Sequence, residues 1–400
     1  MESNMSAKRV TFFGKILDSL CGLNSTLLSQ ALPAPVRLAW VGGFPAHYMS
    51  EFHCRLQAIR PEVFFLYVPL GQQGRAFEHE ITRLPAHHMQ ASSRWQWLWC
   101  WRILERIDPK AVLIAGNYPR CNLIAAAWAY KRGRALYYLA DSNPLDRRNL
   151  RRKWLNSLLL GMVLRRATKI LSIGTRNAEF YMQYRDKEQL GEALLRFPLP
   201  HLHQKFESVC CALNDVFVFL VFGRLEDVKA VDKVINAFAL LDQQLKQRSR
   251  LLIAGDGSSR SALESQVEAQ GLGDRVQFLG SVPSDQAPRI FGEANALVLA
   301  SRDEPWGLVV NEALSAGIPV IGPFWIGAFA DLVVHGETGL VTQDNTPLRL
   351  AAAMRTLLID PSRAAEMGKA GRIRVRERGW TIDGSLQAIG ELPELKDVLS

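Results

Sequence analysis

The stretch ALVLASRDEPWGLVVNEALSAGIPVIG, residues 296–322, decides the fold. It opens on the apolar run 296–300, breaks at the polar, proline-containing turn 301–307, and resumes with helically spaced apolar residues from Leu308. It leads through Ser315-Ala316-Gly317 into a second apolar run at 318–322. Strand, turn, helix and strand in so short a span is a βαβ unit with its two strands parallel. Outward from it the alternation continues: apolar runs at 216–222, 251–255, 276–280 and 339–342, with helical patterns between most of them. The first half repeats the plan with runs at 36–41, 63–68, 111–115, 135–140 and 169–173, and helical spacing over 48–59, 94–107 and 150–166. Runs that are apolar almost throughout belong to sheets covered on both faces. Periodicity lapses only around 197–214, where FPLPHLHQ begins. The expected architecture is α/β, with two Rossmann-like, doubly wound parallel-sheet domains facing a central cleft. Ligands of such sheets sit outside the carboxyl ends of the strands.

The expected boundaries are a leader over 1–33, a first domain over 34–200, a linker over 201–214 and a second domain over 215–380. A C-terminal helical segment, 381–400, is expected to pack back toward the first domain. With 400 residues, 48% hydrophobic and 22% charged, the chain can build real cores and is not a disordered protein. Its net charge of +9 hides an asymmetry: residues 1–200 carry 28 Lys/Arg against 14 Asp/Glu, and residues 201–400 carry 20 against 25. One half is strongly basic and the other mildly acidic, as suits two domains with different partners. The cysteines Cys21, Cys54, Cys100, Cys121, Cys210 and Cys211 form no C-x-x-C pair and have no histidine at ligand spacing, so no zinc site or disulfide framework is readable. Scattered reduced thiols fit the cytosol. No apolar run approaches the roughly 20 residues of a membrane span. The apolar stretch 12–23 is interrupted by Lys15 and Asp18, so the leader reads as partly disordered or amphipathic rather than as a signal peptide.

Two features carry chemistry. The run 216–222 ends in Gly223-Arg224-Leu225-Glu226-Asp227-Val228-Lys229, and a helical pattern follows. A glycine there lets a ligand approach the backbone, while Arg224 and Lys229 flank a helix N-terminus whose free N–H groups already favour an anion. Two cations there suit a diphosphate; the plainer reading pairs them with Glu226 and Asp227. The second feature is Glu304 in the turn and Glu312 eight residues on, in the helix that Gly307 opens. A carboxylate accepts two hydroxyl hydrogen bonds at once, so two in one cleft suit a ribose and a sugar. The plainer reading is an exposed helix face.

The order GRLEDVKAVD, LLIAGDG, LGSVP, EPWGLVVNEALSAGIPVIG and DLVVHGETGLV resembles family 4 glycosyltransferases of the GT-B fold throughout residues 216–345. In the first half the likeness is thinner, carried by VGGFPAHYMSEF and LLGMVLRRATKILSIGTRNAEFYMQY. The resemblance implies a retaining glycosyltransferase that uses a nucleotide-diphosphate-sugar donor and a glycan or lipid-linked acceptor, as in bacterial surface polysaccharide synthesis. By it, Arg224 and Lys229 would grip the diphosphate and stabilise the leaving group, and Glu304 would hold the donor sugar. Glu312 would accept the ribose hydroxyls. Gly223 and the backbone of Trp306, Gly307 and Leu308 would line the donor, and Gly42 and Gly43 would let the first loop close over it. No metal and no cofactor are expected, and no D-x-D motif is evident. Many relatives have a histidine after the strand LYYLA; here Asp141 follows, and it is the residue assigned to catalysis in that domain. Many also have Gly-Gly after the strand at 318–322, where this chain has Pro323-Phe324-Trp325-Ile326-Gly327.

On the acceptor side, His47 follows the glycine loop, and Arg147, Arg148, Arg151 and Arg152 cluster before the stripe Trp154, Leu155, Leu158, Leu159 and Met162. That surface suits an anionic acceptor or the headgroups of a membrane, which places the protein in the cytoplasm or peripherally at the inner face of the plasma membrane. Nucleic acid is not expected, because no recognition motif accompanies the charge. The alternate tryptophans Trp95, Trp97, Trp99 and Trp101 read as a buried face, His87 and His88 as a solvated loop, and His201 and His203 as linker residues without a partner. Alternatives to transfer are a phosphorylase or sugar-phosphate synthase of the same fold, and a non-catalytic nucleotide-sugar-binding protein at a membrane surface.

Overall fold

The computed structural model of the chain describes residues 35–43, 47–68, 85, 88–90, 96–116, 119–140, 150–185, 187–207 and 216–396. The expected leader over 1–33 lies outside them. The first sheet has seven strands, β1 (Leu38–Gly43), β2 (Val63–Val68), β3 (His88–Gln90), β4 (Ala111–Ala115), β5 (Ala135–Ala140), β6 (Lys169–Ser172) and β7 (Leu194–Arg196), in the order β3-β2-β1-β4-β5-β6-β7. The second has six, β8 (Phe217–Phe222), β9 (Ser249–Ala254), β10 (Val276–Gly280), β11 (Ala296–Val298), β12 (Val320–Pro323) and β13 (Gly339–Thr342), in the order β10-β9-β8-β11-β12-β13. The strand pairings are parallel, as at β1–β4 and β8–β11. The residues of β8 are buried but for half-buried Phe222, because helices cover both faces. The edge strands β3 and β7 go beyond the sequence reading, and His88, expected in a solvated loop, begins β3.

In each sheet the strand order reverses beside the first strand, between β1 and β4 and between β8 and β11. Such switch points leave a crevice at the carboxyl ends. The two crevices are built by Gly42 and Gly43 with the turn after β4 in one domain, and by Gly223–Glu226 with residues 299–304 in the other. Gly42 is required by its neighbour: a Cβ there would lie 3.0 Å from the Ala115 carbonyl oxygen.

The domains share one apolar cluster, which runs from Trp40 and Phe52 through Phe197 and Ile389 to Trp306, Val310 and Leu314. Burying side chains of this size stabilises by about 1.5–3 kcal/mol each. The helices Ile382–Gly390 and Pro393–Lys396 lie against the first domain. Ser385 Oγ donates to the Pro198 carbonyl at 2.7 Å, Arg37 donates to the Glu394 carbonyl at 3.0 Å, and the Tyr137 hydroxyl donates to the Glu394 carboxylate. Residues 201–207, expected as a linker, are built into the seam. The His201 ring is 2% exposed and meets Ser315 Oγ at 3.0 Å, and the short helix His203–Glu207 buries Phe206 against Phe291. Burial pushes the His201 imidazole down to about 3, so it stays neutral.

Candidate active site

The chain leaves β8 through Gly223, at φ +143°, and crosses the turn after β9. A Cβ on Gly255 would sit 1.8 Å from the Gly223 carbonyl oxygen, and one on Gly257 2.6 Å from that of Leu225. The glycines of the GDG turn therefore serve this close crossing, which fixes the loop that carries Arg224. A single 3-10 turn, Asp227–Lys229, then presents Lys229 ahead of the helix Val231–Ala239. From β11 the chain runs through Ser301 to Glu304, and Gly307, at φ +87°, opens the helix Leu308–Ala316. Gly307 has no side chain to cap that helix, and while the Val310 amide donates to the Gly307 carbonyl at 2.9 Å, those of Leu308 and Val309 have no described acceptor. A Cβ on Gly307 would lie 3.0 Å from Glu304 Cγ, so the glycine also makes room for the carboxylate.

These elements line a pocket open to solvent, bordered by Gly223, Arg224, Lys229, Ser301, Glu304 and Val309 among others. Lys229 Nζ lies 2.5 Å from Glu304 Oε2, and Ser301 Oγ donates to the same oxygen at 3.1 Å. Among the described residues Glu304 Oε1 accepts no hydrogen bond, so it is the oxygen left for a ligand. The cations do not pair with Glu226 and Asp227 among the described residues, although Arg224 is solvated, as the plainer reading has it. Asp227 pairs with Arg302, the Glu226 carboxylate accepts from Ser258 at 2.7 Å, and Arg224 stands exposed with no ion-pair partner among the described residues.

Glu312 stands further along the helix Leu308–Ala316, and no described side chain hydrogen-bonds or ion-pairs with it. Its surface keeps partial contact with solvent, but protein crowds the carboxyl, and this burial pushes it up to about 7. Leu308 is the helix's first residue, half-buried, with its backbone toward the anion-binding end. At Trp306, where the expectation concerns the backbone, the structure shows where the side chain goes. Its indole is 3% exposed, stacks on Trp380 with centroids 4.1 Å apart and donates to Asn311 Oδ1 at 2.9 Å. Its side chain therefore serves the core.

Of the first-domain candidates, Asp141, Arg147 and Arg148 lie outside the described residues. Gly42 and Gly43 end β1, His47 opens the helix His47–Ile59, and Arg151 and Arg152 stand in the first turn of the helix Leu150–Arg166; for these three side chains only backbone placement is described. The structure also adds residues that the sequence did not single out. Asp331 accepts from the Thr175 amide at 2.9 Å and from its hydroxyl at 3.0 Å, joining the domains at the start of the helix Gly174–Tyr181. Ser301 enters through Glu304, a serine in a loop giving no periodic signal, and Trp325, which the sequence places where many relatives have Gly-Gly, reaches it through the Ser301 carbonyl.

Gly223, Arg224, Lys229 and Glu304 thus line one pocket beside the β8–β11 switch point, and the helix Leu308–Ala316, which carries Glu312, starts four residues after Glu304. Residues 212–374 match the family of glycosyl transferases group 1. Among curated proteins, the chain is 32% identical over 183 residues to the D-inositol 3-phosphate glycosyltransferase of Streptomyces avermitilis, which covers 44% of this chain and 39% of that protein. It is 33% identical over 156 residues to the glycogen synthase of Mycobacterium tuberculosis, covering 39% of this chain and 37% of the relative. The likeness thus spans well under half the length of these relatives. Among solved structures, Anabaena Alr3699/HepE in complex with UDP superposes with a TM-score of 0.72 at 17% identity, covering 89% of this chain and 98% of that one. WaaG, a glycosyltransferase involved in lipopolysaccharide biosynthesis, superposes at 0.64 with 16% identity, covering 89% and 100%. The fold is GT-B.

Proposed function

We propose that this protein is a retaining, metal-independent glycosyltransferase that moves a sugar from a nucleoside-diphosphate donor to a hydroxyl of a glycan or lipid-linked acceptor. The observation that carries the reading is the convergence of Arg224, Lys229 and Glu304 on one pocket at the β8–β11 switch point. Arg224, Lys229 and the amides at Gly307 and Leu308 neutralise the diphosphate as its bond to the sugar breaks, which is where negative charge develops. Glu304 holds the sugar hydroxyls through Oε1, and Glu312 holds the ribose. The acceptor hydroxyl attacks from the face the diphosphate leaves, so configuration is kept, and its proton passes to the departing diphosphate. Asp141 orients the acceptor. The two cations supply the charge neutralisation that a divalent metal would otherwise provide.

The test is a thermal-shift panel of nucleoside diphosphates and their sugars, followed by transfer assays. Lys229→Ala loses about 10²–10³ in turnover, the usual effect of deleting one preorganised donor to a developing anion. Near-full activity in that variant refutes the site, and turnover that consumes or releases inorganic phosphate in place of nucleotide favours a phosphorylase.

The acceptor side has a surface of its own. On the helix Leu150–Arg166, which has no acidic residue in its first turn and ends in Arg165 and Arg166, Leu158 and Met162 are 50% and 45% exposed. Arg166 lies 4.5 Å over the ring of exposed Tyr130. Apolar side chains, an interfacial tyrosine and arginines on one ridge suit an anionic lipid surface, where a lipid-linked acceptor would be met from the cytoplasmic side. Co-sedimentation with phosphatidylglycerol vesicles, but not with phosphatidylcholine vesicles, is the expected result; equal recovery with both refutes it. Among the described residues no helix is long and apolar enough to cross a membrane.

A further inference from the structure

We infer that Trp325 is a positioning residue for the donor sugar, acting through Ser301 on the Glu304 carboxylate. This rests on the donor-site reading above. The loop after β12 lies along the turn 301–307 and is tied to it at three points. Trp325 Nε1 donates to the Ser301 carbonyl at 2.9 Å, the Gly327 amide to the Glu304 carbonyl at 3.0 Å, and the Ala328 amide to the Trp306 carbonyl at 2.8 Å. The fit leaves no slack. A Cβ on Gly327 would lie 1.9 Å from the Pro305 carbonyl oxygen, and fully buried Ile326 packs 3.4 Å from where a Gly307 Cβ would be.

Trp325 thus fixes the backbone of the same serine whose hydroxyl fixes Glu304 Oε2. The side chain reaches Ser301 from outside the crowded turn and is half-buried, so its ring can be changed without opening the core. A carboxylate anchored at Oε2 by Lys229 and Ser301 presents Oε1 in one direction, and hydroxyl recognition depends on that direction being held. When Trp325 is lost, Ser301 gains freedom, the anchor at Oε2 loosens and Oε1 wanders, while Arg224 and the helix amides that would hold the diphosphate are untouched. Trp325 therefore acts on the sugar and not on the nucleotide.

The experiment measures affinity for a nucleoside diphosphate and for its sugar conjugate, using whichever sugar stabilises the unaltered protein most in the panel above. Trp325→Phe keeps the bulk and removes the N–H donor; Ser301→Ala removes the hydroxyl and stands in if the first variant does not fold. Each is expected to reduce the preference for the sugar nucleotide over the bare diphosphate by about fivefold, the usual effect of one hydrogen bond. The diphosphate itself should bind within about twofold of the parent, and the double variant should lose less than the product of the two singles. An unchanged preference, or equal weakening of both ligands, overturns the proposal. If the unaltered protein binds no nucleotide sugar, the donor-site reading fails and this one with it.

Discussion

Replacing Glu304 by glutamine tests what holds the empty site together. The Lys229–Glu304 pair is 2.5 Å long, with side chains 26% and 12% exposed. Exposed ion pairs contribute about 0–1 kcal/mol, whereas removing one partner of a buried pair costs about 3–5 kcal/mol. This pair lies between those limits, because both side chains are mostly but not fully covered, so Glu304→Gln should destabilise by about 1–3 kcal/mol. A domain of this size loses about 2–4 °C per kcal/mol, giving a fall in Tm of about 2–12 °C without ligand. Adding UDP distinguishes this from ordinary damage. A diphosphate offers Lys229 a new counter-charge, and in the variant it has no ion pair to displace. The UDP-induced rise in Tm should therefore be at least as large as in the parent, while the further rise from attaching the sugar is lost. Thermal unfolding with and without ligand, checked by calorimetric titration, reads all three quantities. A variant as stable as the parent without ligand, or one that no longer responds to UDP, refutes the reasoning.

Gly307→Ala places a side chain at φ +87° and 3.0 Å from Glu304 Cγ; the left-handed backbone alone costs about 1–2 kcal/mol. Chemical denaturation should show that loss, and transfer activity should fall further than stability does. For Glu312, burial raises the carboxyl in the folded chain to about 7, above its unfolded value. Between about pH 4.5 and 7 the folded state therefore holds the extra proton, and stability falls as pH rises. Glu312→Gln should raise Tm at pH 8 by removing an ionised, crowded carboxylate and change it little at pH 4.5, while nucleotide binding weakens at pH 8; a Tm gain independent of pH would contradict the burial. Asp331→Ala removes the carboxylate that caps the helix Gly174–Tyr181 across the domain seam. It should cost about 0.5–2 kcal/mol and speed amide exchange in that helix; unchanged exchange would place the cap elsewhere.

The inner strands β2, β4 and β5 were legible because they are buried on both faces, and they have the bounds their apolar runs suggested, as do the edge strands β10 and β13. β3 and β7 were not, since each is three residues at a sheet edge, and Leu194–Arg196 is half-exposed, so no apolar run marks it. His201 was read as linker because polar residues among prolines show no period, yet it is held against Ser315 by the packing of two domains, which no local pattern encodes. At the site, Gly223, Arg224 and Lys229 were legible as one local unit. Their meeting with Glu304, 75 residues from Lys229, follows from β8 and β11 being neighbours, and spacing alone does not reveal that. The burial of the Trp306 ring was not legible for a related reason. It lies inside the site's most informative motif, but Trp380, which claims its ring, comes from the segment leading into the C-terminal helices.

The charge asymmetry of the halves looks at odds with a diphosphate site, since the half that carries the site has more acids than bases. The structure resolves this by where the acids are spent. Around the β8 loop, Asp227 is held by Arg302, Glu226 by Ser258, and Asp256 by Arg260 at 3.1 Å. Each neighbouring carboxylate is satisfied away from the crevice, and Arg224 is left without a described counter-charge. Among the described residues only Glu304 pairs with one of the two cations, Lys229. An anion arriving at the crevice therefore meets a positive local field inside a negative domain, because screening over about 8–10 Å makes the nearest pairs count for more than the total. By the same reasoning, the surplus of +14 in the first half says little about any one contact. Its weight falls on ridges such as Leu158–Arg166, where exposed arginines have no acid on their own helix to pair with.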